Sequence, residues 1–172
     1  MCQQMHPQGI KSEDYVVGKN GGLKNVFIYV KQGLEGKTFP VETKPATITQ
    51  KGCQYIPHVI GVQINQPLEV INDDATLHNV NAQPKDNRGF NFAQPVQGMK
   101  TTKTFDKPEI MVPFICNIHP WMKSYIGVVG NPFFAVSNDD GQFEIKDLPA
   151  GTYVLEAWHE KMGTSQQKIT VK

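Results

Sequence analysis

Three side chains that bind metal ions follow one another at three-residue intervals. Cys116, His119 and Met122 lie in the sequence Cys-Asn-Ile-His-Pro-Trp-Met, and a second histidine, His78, follows a run of turn-forming residues upstream. Two histidines, one cysteine and one methionine are the ligand set of electron-transfer copper sites. The sulfur ligands favour Cu(I), whereas imidazole suits both oxidation states. These residue types therefore predict a copper ion that changes its oxidation state by one electron.

The order and spacing of these residues resemble those of the cupredoxins, and within the loop the spacing is closest to that of amicyanin. The resemblance implies that His78, Cys116 and His119 form a trigonal plane around one type 1 copper ion, with Met122 as a long axial ligand. It also implies that the backbone amide of Asn79 hydrogen-bonds the cysteine sulfur.

A purely structural interpretation competes with this one. A lone cysteine is most often a small buried hydrophobic residue, and Met122 would then be part of the core. A buried, fully hydrogen-bonded histidine would, however, be unusual at position 119, since Pro120 and Trp121 follow it at the end of a strand. We therefore favour the copper site.

The cupredoxin resemblance further implies that His119 carries electrons through an apolar surface patch. Pro120 and Trp121 flank this histidine, so we expect them to dock a redox partner protein such as a cytochrome c, a dehydrogenase or an oxidase. The alternative is that Trp121 packs beneath another domain and the patch is covered.

A second metal site is a weaker expectation. Cys53, His58 and His159 are suitable ligand types if folding brings them together, but no short spacing connects them. The alternative is that the histidines are ordinary polar residues near strand ends and that Cys53 is buried. If the second site exists, the protein is a copper enzyme or a copper-handling protein.

The histidine count argues against an enzyme. Copper oxidases and nitrite reductases hold further copper ions with several additional histidines, whereas this chain has five histidines in all, two of them already assigned. Copper-storage proteins favour Met- and His-rich tracts, and the six methionines here are scattered. We expect an electron carrier without enzymatic activity.

Composition limits the partners and the compartment. The 17 basic and 16 acidic residues nearly balance, and no basic run is interleaved with aromatic residues, so nucleic acid is not an expected partner. Cys2 directly follows Met1, and a processed bacterial lipoprotein begins with a lipid-bearing cysteine, so replacing the leader of such a protein with Met would give this sequence. Alternatively, Cys2 is incidental or pairs with Cys53 in an oxidising compartment. We expect a protein of the bacterial periplasm, or one anchored to a membrane outside the cytoplasm.

The fold class predicted from the sequence is all-β. Short apolar runs separated by frequent Gly and Pro favour strands, and no stretch of useful length has a helical period. Residues 47–130 resemble a Greek-key cupredoxin sandwich. Residues 131–172 contain the pattern Asp-Gly-x-Phe-x-Ile followed by Leu-Pro-x-Gly-x-Tyr-x-Leu, which resembles the carboxypeptidase regulatory-like, transthyretin-like sandwich.

The N-terminal strand predicted at residues 24–31 is expected to join the C-terminal hairpins. The cupredoxin domain would then be inserted into a small sandwich made of residues 12–46 and 131–172, and the alternative is one enlarged cupredoxin. Two local predictions accompany this division. The Pro- and Asn-rich residues 81–98 are expected to form a long loop, and residues 143–145 to form a strand after a turn with positive φ at Gly141.

Overall fold

A computed structural model describes residues 2–172, which form two compact units. Unit 1 contains residues 2–12 and Val41–Gly130, and unit 2 contains Glu13–Pro40 and Asn131–Lys172. The predicted all-β fold class is confirmed, since thirteen strands account for nearly all regular structure in the described chain. The elements are α1 (Cys2–Met5), β1 (Phe27–Gln32), β2 (Ala46–Gln50), β3 (Tyr55–Ile56), β4 (Val59–Gln63), β5 (Leu68–Asn72), β6 (His78–Ala82), β7 (Phe90–Gln94), β8 (Lys100–Lys103), β9 (Glu109–Ile115), β10 (Lys123–Val129), β11 (Phe134–Val136), β12 (Gly151–His159) and β13 (Gly163–Val171).

Unit 1 is a sandwich of two sheets. One sheet has the strand order β4-β10-β9-β6-β7 and the other has the order β3-β2-β5-β8. In β5, buried and partly exposed residues alternate along the strand, which is the pattern of a strand with one face in a core. One apolar cluster joins both sheets, including Ile48 and Val70 from one and Val80, Phe114 and Ile126 from the other.

Three strands of the larger sheet bring the predicted ligands to one end of the sandwich. His78 is the first residue of β6, Cys116 directly follows β9, and Met122 directly precedes β10. β9 and β10 are antiparallel, with Lys123 opposite Ile115, so residues 116–122 form a closed loop between neighbouring strands. We call residues 116–122 the ligand loop. β9 pairs with β10 on one side and with β6 on the other. The pairing with β6 places His78 beside this loop.

Unit 2 is built on one four-stranded sheet with the order β11-β1-β12-β13. β1 pairs antiparallel with both β11 and β12, so segments from before and after unit 1 share this sheet. Val30, Phe133 and Tyr153 form its buried core, and loop residues such as Leu34, Phe39 and Leu148 pack against them. The resemblance to a sandwich implied two facing sheets, whereas the described residues of unit 2 form a single sheet with apolar loops against it.

Two local predictions were wrong. Residues 90–94 form β7, which pairs along its whole length with β6, although residues 81–98 were expected to be a loop. The alternation in Phe90-Asn91-Phe92-Ala93 carried this signal, but the surrounding Pro, Asn and Gly obscured it. Residues 143–145 are not a strand, although the preceding turn at Asn138–Gly141 forms as expected, with φ of 72° at Gly141. Within residues 2–172, no helix has the length and apolar character needed to cross a bilayer.

Candidate metal centre

The side chains of His78, Cys116 and His119 converge on one point between β6 and the ligand loop. The Nδ1 atoms of the two histidines face each other at 3.0 Å, and Cys116 Sγ lies 3.7 Å from His119 Nδ1. One ligand atom from each of the three residues lies within 4.8 Å of the others. Met122, which ends the loop, is buried with them. The structure thus brings together the predicted ligands from two distant parts of the chain.

The interior of the protein surrounds most of this cluster. His78 is 0% exposed, and Cys116 and Met122 are each 1% exposed, whereas His119 is half-buried. Any ion held by these residues would therefore be shielded from bulk water on the side of His78 and Met122, and His119 would be the ligand nearest the surface.

The environment of Cys116 favours its thiolate. Burial alone would raise the pKa of the thiol, but hydrogen bonds from His78 and from backbone amides, that of Asn79 first among them, lower it below its ordinary value. A thiolate is the form of cysteine that binds metal ions. The amide contact of Asn79 is the one that the cupredoxin resemblance implied.

The side chain of Asn79 ties β6 to the start of the ligand loop. Its Oδ1 accepts a hydrogen bond of 2.6 Å from the backbone amide of Asn117. It also lies 3.4 Å from Cys116 Sγ, which donates to it when Cys116 is a thiol. Within the loop, the amide of Met122 donates to the carbonyl of His119 at 2.9 Å, and the amide of Cys116 donates to the carbonyl of Met122 at 3.3 Å. These bonds fix the backbone that carries all three ligands of the loop.

Asp74 orients His78 from the opposite side. Its Oδ2 lies 2.9 Å from His78 Nε2, which leaves Nδ1 directed at His119. Burial lowers the pKa of His78, but contacts with the Cys116 sulfur and the Asp74 carboxylate outweigh it and hold this pKa above the ordinary value. A carboxylate on the outer nitrogen of a ligating histidine fixes the orientation of the ring and increases its basicity. The sequence analysis did not identify Asp74, although its position four residues before His78 in a turn was an available signal.

The same carboxylate holds a tight turn at residues 51–54, which we call the disulfide turn. Lys51 and Gln54 exchange two backbone hydrogen bonds, and the central residues Gly52 and Cys53 have φ of 60° and 54°. Positive φ at both central positions defines a type I′ hairpin turn, which is costly for a residue other than Gly, Asn or Asp. The amides of Gly52 and Cys53 each donate to Asp74 at 2.8 Å, which stabilises this conformation.

Cys2 and Cys53 form a disulfide with a Cα–Cα distance of 5.8 Å. The sequence left three states open for Cys2, and the structure has the disulfide. A lipid thioether would require the same Sγ atom, so the expected lipidation of Cys2 and this bond exclude each other. Cys53 therefore has no free thiol in this state, so the second site expected at Cys53, His58 and His159 lacks its sulfur ligand while the disulfide is intact.

The other two residues of the expected second site have local partners of their own. His58 belongs to unit 1, where its Nδ1 lies 3.1 Å from the carbonyl of Lys123. His159 belongs to unit 2, where its ring stacks on Tyr15 and its Nδ1 accepts a hydrogen bond from the amide of Lys161.

The surface near His119 is apolar and open. Pro120 is exposed, Trp121 is 49% exposed and Ile118 is 45% exposed. The ring centroids of Trp121 and His119 lie 5.3 Å apart, and the indole Nε1 donates to the carbonyl of Cys53 at 2.9 Å. Trp121 therefore links the ligand loop to the disulfide turn while keeping half of its surface accessible.

No protein-family model matches the chain, and no curated protein matches it. Among solved structures, a Cu-containing nitrite reductase from Thermus scotoductus SA-01 is 27% identical over 58% of this chain, with a TM-score of 0.43. The match spans only 26% of the length of that reductase. A purple cupredoxin from Nitrosopumilus maritimus is 19% identical over 48% of this chain and 98% of its own, with a TM-score of 0.42. A reduced variant of amicyanin is 17% identical over 59% of this chain and 97% of its own, with a TM-score of 0.44.

The features that define the fold lie in unit 1 itself: two facing sheets with parallel and antiparallel pairs, a histidine at the start of β6, and a Cys-x-x-His-x-x-Met loop between β9 and β10. Unit 1 is a cupredoxin-like β-sandwich.

Proposed function

We propose that the protein is a one-electron carrier that binds a single type 1 copper ion through His78, Cys116 and His119, with Met122 as the axial ligand. The observation that carries the proposal is the convergence of two histidine Nδ1 atoms and a cysteine Sγ in a buried pocket. Two imidazoles, a thiolate and a thioether are the donor set that copper prefers in both of its oxidation states. When bound, copper would supply reversible one-electron chemistry between Cu(I) and Cu(II).

The surrounding residues suit a carrier because they fix the ligands before metal binds. Asp74 holds the ring of His78, and Asn79 holds the start of the ligand loop. A site whose ligands are held in place changes little in geometry when an electron arrives or leaves, so electron transfer requires little reorganisation.

The half-buried His119 offers a route for electrons to the surface. The exposed side chains of Pro120, Trp121 and Ile118 around it form an apolar area suited to brief docking with a redox protein. A cytochrome c, a dehydrogenase or an oxidase would be a suitable partner.

The alternative function, a copper enzyme or copper-handling protein with a second site, has less support. The proposed second site loses its thiolate to the disulfide with Cys2. His58 and His159 remain as candidates, with the local partners described above. The carrier therefore accounts for more of the arrangement.

We further propose that the protein works outside the cytoplasm, in the periplasm of a bacterium. The Cys2–Cys53 disulfide supports this proposal, because disulfides persist in oxidising compartments and are rare in the reducing cytosol.

Voltammetry of the copper-loaded protein tests the proposed function. A single reversible one-electron wave, with charge equal to one electron per chain, is the expected result. Two waves would indicate a second redox site. Irreversible reduction with loss of copper would contradict the assignment to an electron carrier.

A further inference from the structure

The disulfide lies against the candidate copper site. Cys2 Sγ, Cys53 Sγ and a ring nitrogen of His119 all lie within 4.8 Å of one another. His119 therefore belongs to two groups of ligand atoms, one with His78 and Cys116 and one with the two disulfide cysteines. Because one residue belongs to both groups, the two groups are adjacent, and a metal ion would travel only a short distance from one to the other.

A cavity opens onto Cys2, one of the three residues of this second group. It has a volume of about 400 Å³, and its lining includes Cys2, His6 and Trp121. The ligands His78, Cys116 and Met122 are at most 1% exposed, whereas His119 is half-buried. Copper that enters from this side meets Cys2, whose sulfur lies within 4.8 Å of a ring nitrogen of His119, before it reaches the buried ligands.

Reduction would convert the disulfide into a pair of soft ligands. A dithiol reductant would donate two electrons and two protons, giving the thiols of Cys2 and Cys53 while the reductant itself becomes a disulfide. Both cysteines would then bind a metal ion as thiolates, with release of their protons. Two thiolates and an imidazole select Cu(I) over harder ions. Binding of one ion between them requires the two sulfurs to separate from their bonded distance, and Cys2 lies on the four-residue helix α1, none of whose residues is fully buried.

We propose that the reduced Cys2–Cys53 pair and His119 form an entry site for Cu(I), from which the ion passes to His78, Cys116 and Met122. In the transfer, Cys2 and Cys53 release the ion and take up two protons, one from Cys116 and one from solvent. His78, Cys116 and Met122 bind the ion, which stays Cu(I), so no electron is gained or lost. The disulfide form, with both sulfurs bonded to each other, closes this route. The inference extends the proposed function, because it concerns the supply of the same metal.

The test uses the full-length Cys116→Ser variant, so that it does not depend on a blue copper site. The variant is prepared with the disulfide intact and, separately, reduced, and each form is titrated anaerobically with Cu(I) against a chromophoric Cu(I) chelator. The reduced form is expected to bind Cu(I) about 100-fold or more tightly than the disulfide form, since loss of even an outer-shell partner costs 10–100-fold in affinity. Equal affinity of the two forms would overturn the proposal.

Alkylation identifies the sulfurs that bind. Cu(I) is expected to protect both Cys2 and Cys53 of the reduced variant from iodoacetamide, as read by mass spectrometry of peptides. Adding Cys2→Ser should abolish the tight binding, whereas Gln3→Ser, at a neighbouring residue of the same cavity without a sulfur, should preserve it. Unchanged alkylation in the presence of Cu(I) would contradict the entry site even if a blue copper site exists.

A second measurement avoids the Cys116 substitution. The reduced wild-type protein is mixed with the Cu(I)–chelator complex, and copper transfer is followed by the loss of the chelator's colour. Cys2→Ser is expected to slow this transfer about tenfold or more, in line with the lost ligand, and an unchanged rate would overturn the proposal.

Discussion

At the scale of single residues, Met122 is the ligand whose role can be separated from copper retention. Because an axial thioether contributes a long, weak bond, its replacement should change the reduction potential rather than abolish binding. A thioether is a soft donor, but loss of any donor bond destabilises the doubly charged Cu(II) more than Cu(I). For Met122→Leu we therefore expect a higher reduction potential with copper still bound.

Met111→Leu is the matched control, since Met111 is also buried in unit 1. A Met-to-Leu exchange in a core conserves volume and usually costs less than about 1.5 kcal/mol. Voltammetry should show a reduction potential that differs from wild type for Met122→Leu and is unchanged for Met111→Leu. Complete loss of copper from Met122→Leu would mean that the thioether is more than a weak axial ligand.

Asp74 is the residue whose removal should affect both the site and the fold. It accepts hydrogen bonds from His78 and from the amides of Gly52 and Cys53. Asp74→Asn replaces one accepting oxygen with a donor, which should lower the free energy of unfolding of unit 1 by about 1–3 kcal/mol. The reduction potential should rise, because a less basic His78 stabilises Cu(II) less.

Asp73→Asn is the neighbouring control. Asp73 pairs with Lys51 at 3.0 Å, but their side chains are 41% and 66% exposed, and a solvent-exposed pair contributes at most about 1 kcal/mol. Urea unfolding and voltammetry should therefore show a small effect for Asp73→Asn. If the two variants have the same potential, Asp74 does not act on copper through His78.

The residues of the ligand loop could be predicted because they are contiguous and their types specify a chemistry. The contact of Asp74 with His78, four residues away, had a signal in the sequence. Its bonds to Gly52 and Cys53 could not be predicted, because the disulfide turn lies more than twenty residues earlier in the chain. The state of Cys2 could not be decided from the sequence for a related reason. A disulfide requires two Cα atoms within about 7 Å of each other, and the sequence does not contain that distance. The copper ligation itself remains a prediction.

At the scale of secondary structure, the central strands of unit 2 surround one buried carboxylate. Glu156 lies directly opposite Tyr29 on β1 and Gln166 on β13. It accepts hydrogen bonds from the Tyr29 hydroxyl at 2.5 Å, from Lys31 Nζ at 2.5 Å and from Gln166 Nε2 at 2.6 Å. Burial raises the pKa of Glu156, but these hydrogen bonds outweigh burial and lower it below its ordinary value.

Glu156→Gln should lower the free energy of unfolding of unit 2 at neutral pH by about 1–3 kcal/mol, as expected for hydrogen bonds to a charged group. Because the folded pKa is depressed, the stabilisation is full above the unfolded carboxyl pKa of about 4.3 and is lost as pH falls through the lower folded pKa. The difference between wild type and variant should therefore shrink below about pH 4.

Urea unfolding at several pH values checks this expectation. Glu144→Gln is the control, since Glu144 and its partner Lys146 are each 74% exposed. A difference between Glu156→Gln and wild type that stays constant from pH 7 to pH 3 would show that the charge of Glu156 is not the source of the stabilisation.

The strands that could be predicted from sequence were those with uninterrupted alternation, such as β5 and β12. β7 was missed because its five residues lie among Pro, Asn and Gly. Its pairing with β6 also depends on hydrogen bonds made by a residue outside this segment. Glu109, the first residue of β9, accepts hydrogen bonds from the backbone amides of Lys85, Asp86 and Asn87, which order the connection between β6 and β7. Residues 143–145 have a strand-like pattern but gain no strand partner, so propensity alone was insufficient.

At the scale of the whole molecule, the disulfide is expected to stabilise unit 1 selectively. It joins residues 51 positions apart, both within unit 1. Closing a loop of this length in the unfolded chain corresponds to about 4 kcal/mol in the chain-entropy model. Reduction of the metal-free protein should therefore lower the stability of unit 1 and leave unit 2 nearly unchanged.

The two tryptophans allow each unit to be followed separately, since Trp121 lies in unit 1 and Trp158 in unit 2. Trp158→Phe leaves fluorescence from unit 1, and Trp121→Phe leaves fluorescence from unit 2. Both variants are unfolded by denaturant with and without reductant. Reduction should lower the unfolding midpoint reported by Trp121 in the Trp158→Phe variant and leave the midpoint reported by Trp158 in the Trp121→Phe variant nearly unchanged. Equal shifts in both would mean that the units do not unfold independently.

The sequence analysis predicted a copper domain at residues 47–130 and a transthyretin-like domain at residues 12–46 and 131–172. The two units of the structure are defined by their contacts, and these two domain identities stay predictions. Sequence patterns identified which strands exist in each part. They could not show that unit 2 would close its core with loops rather than with a second sheet, because loop packing depends on contacts between residues far apart in the chain.

The most direct test of the central claim is the visible absorption and EPR spectrum of the protein titrated with Cu(II), beside the Cys116→Ser variant. The account predicts an intense thiolate-to-copper charge-transfer band with narrow copper hyperfine splitting, saturating at one copper per chain and absent from the variant. A colourless wild-type protein, or a variant that keeps the same band, would contradict the assignment of Cys116 as the ligand and with it the proposed electron carrier.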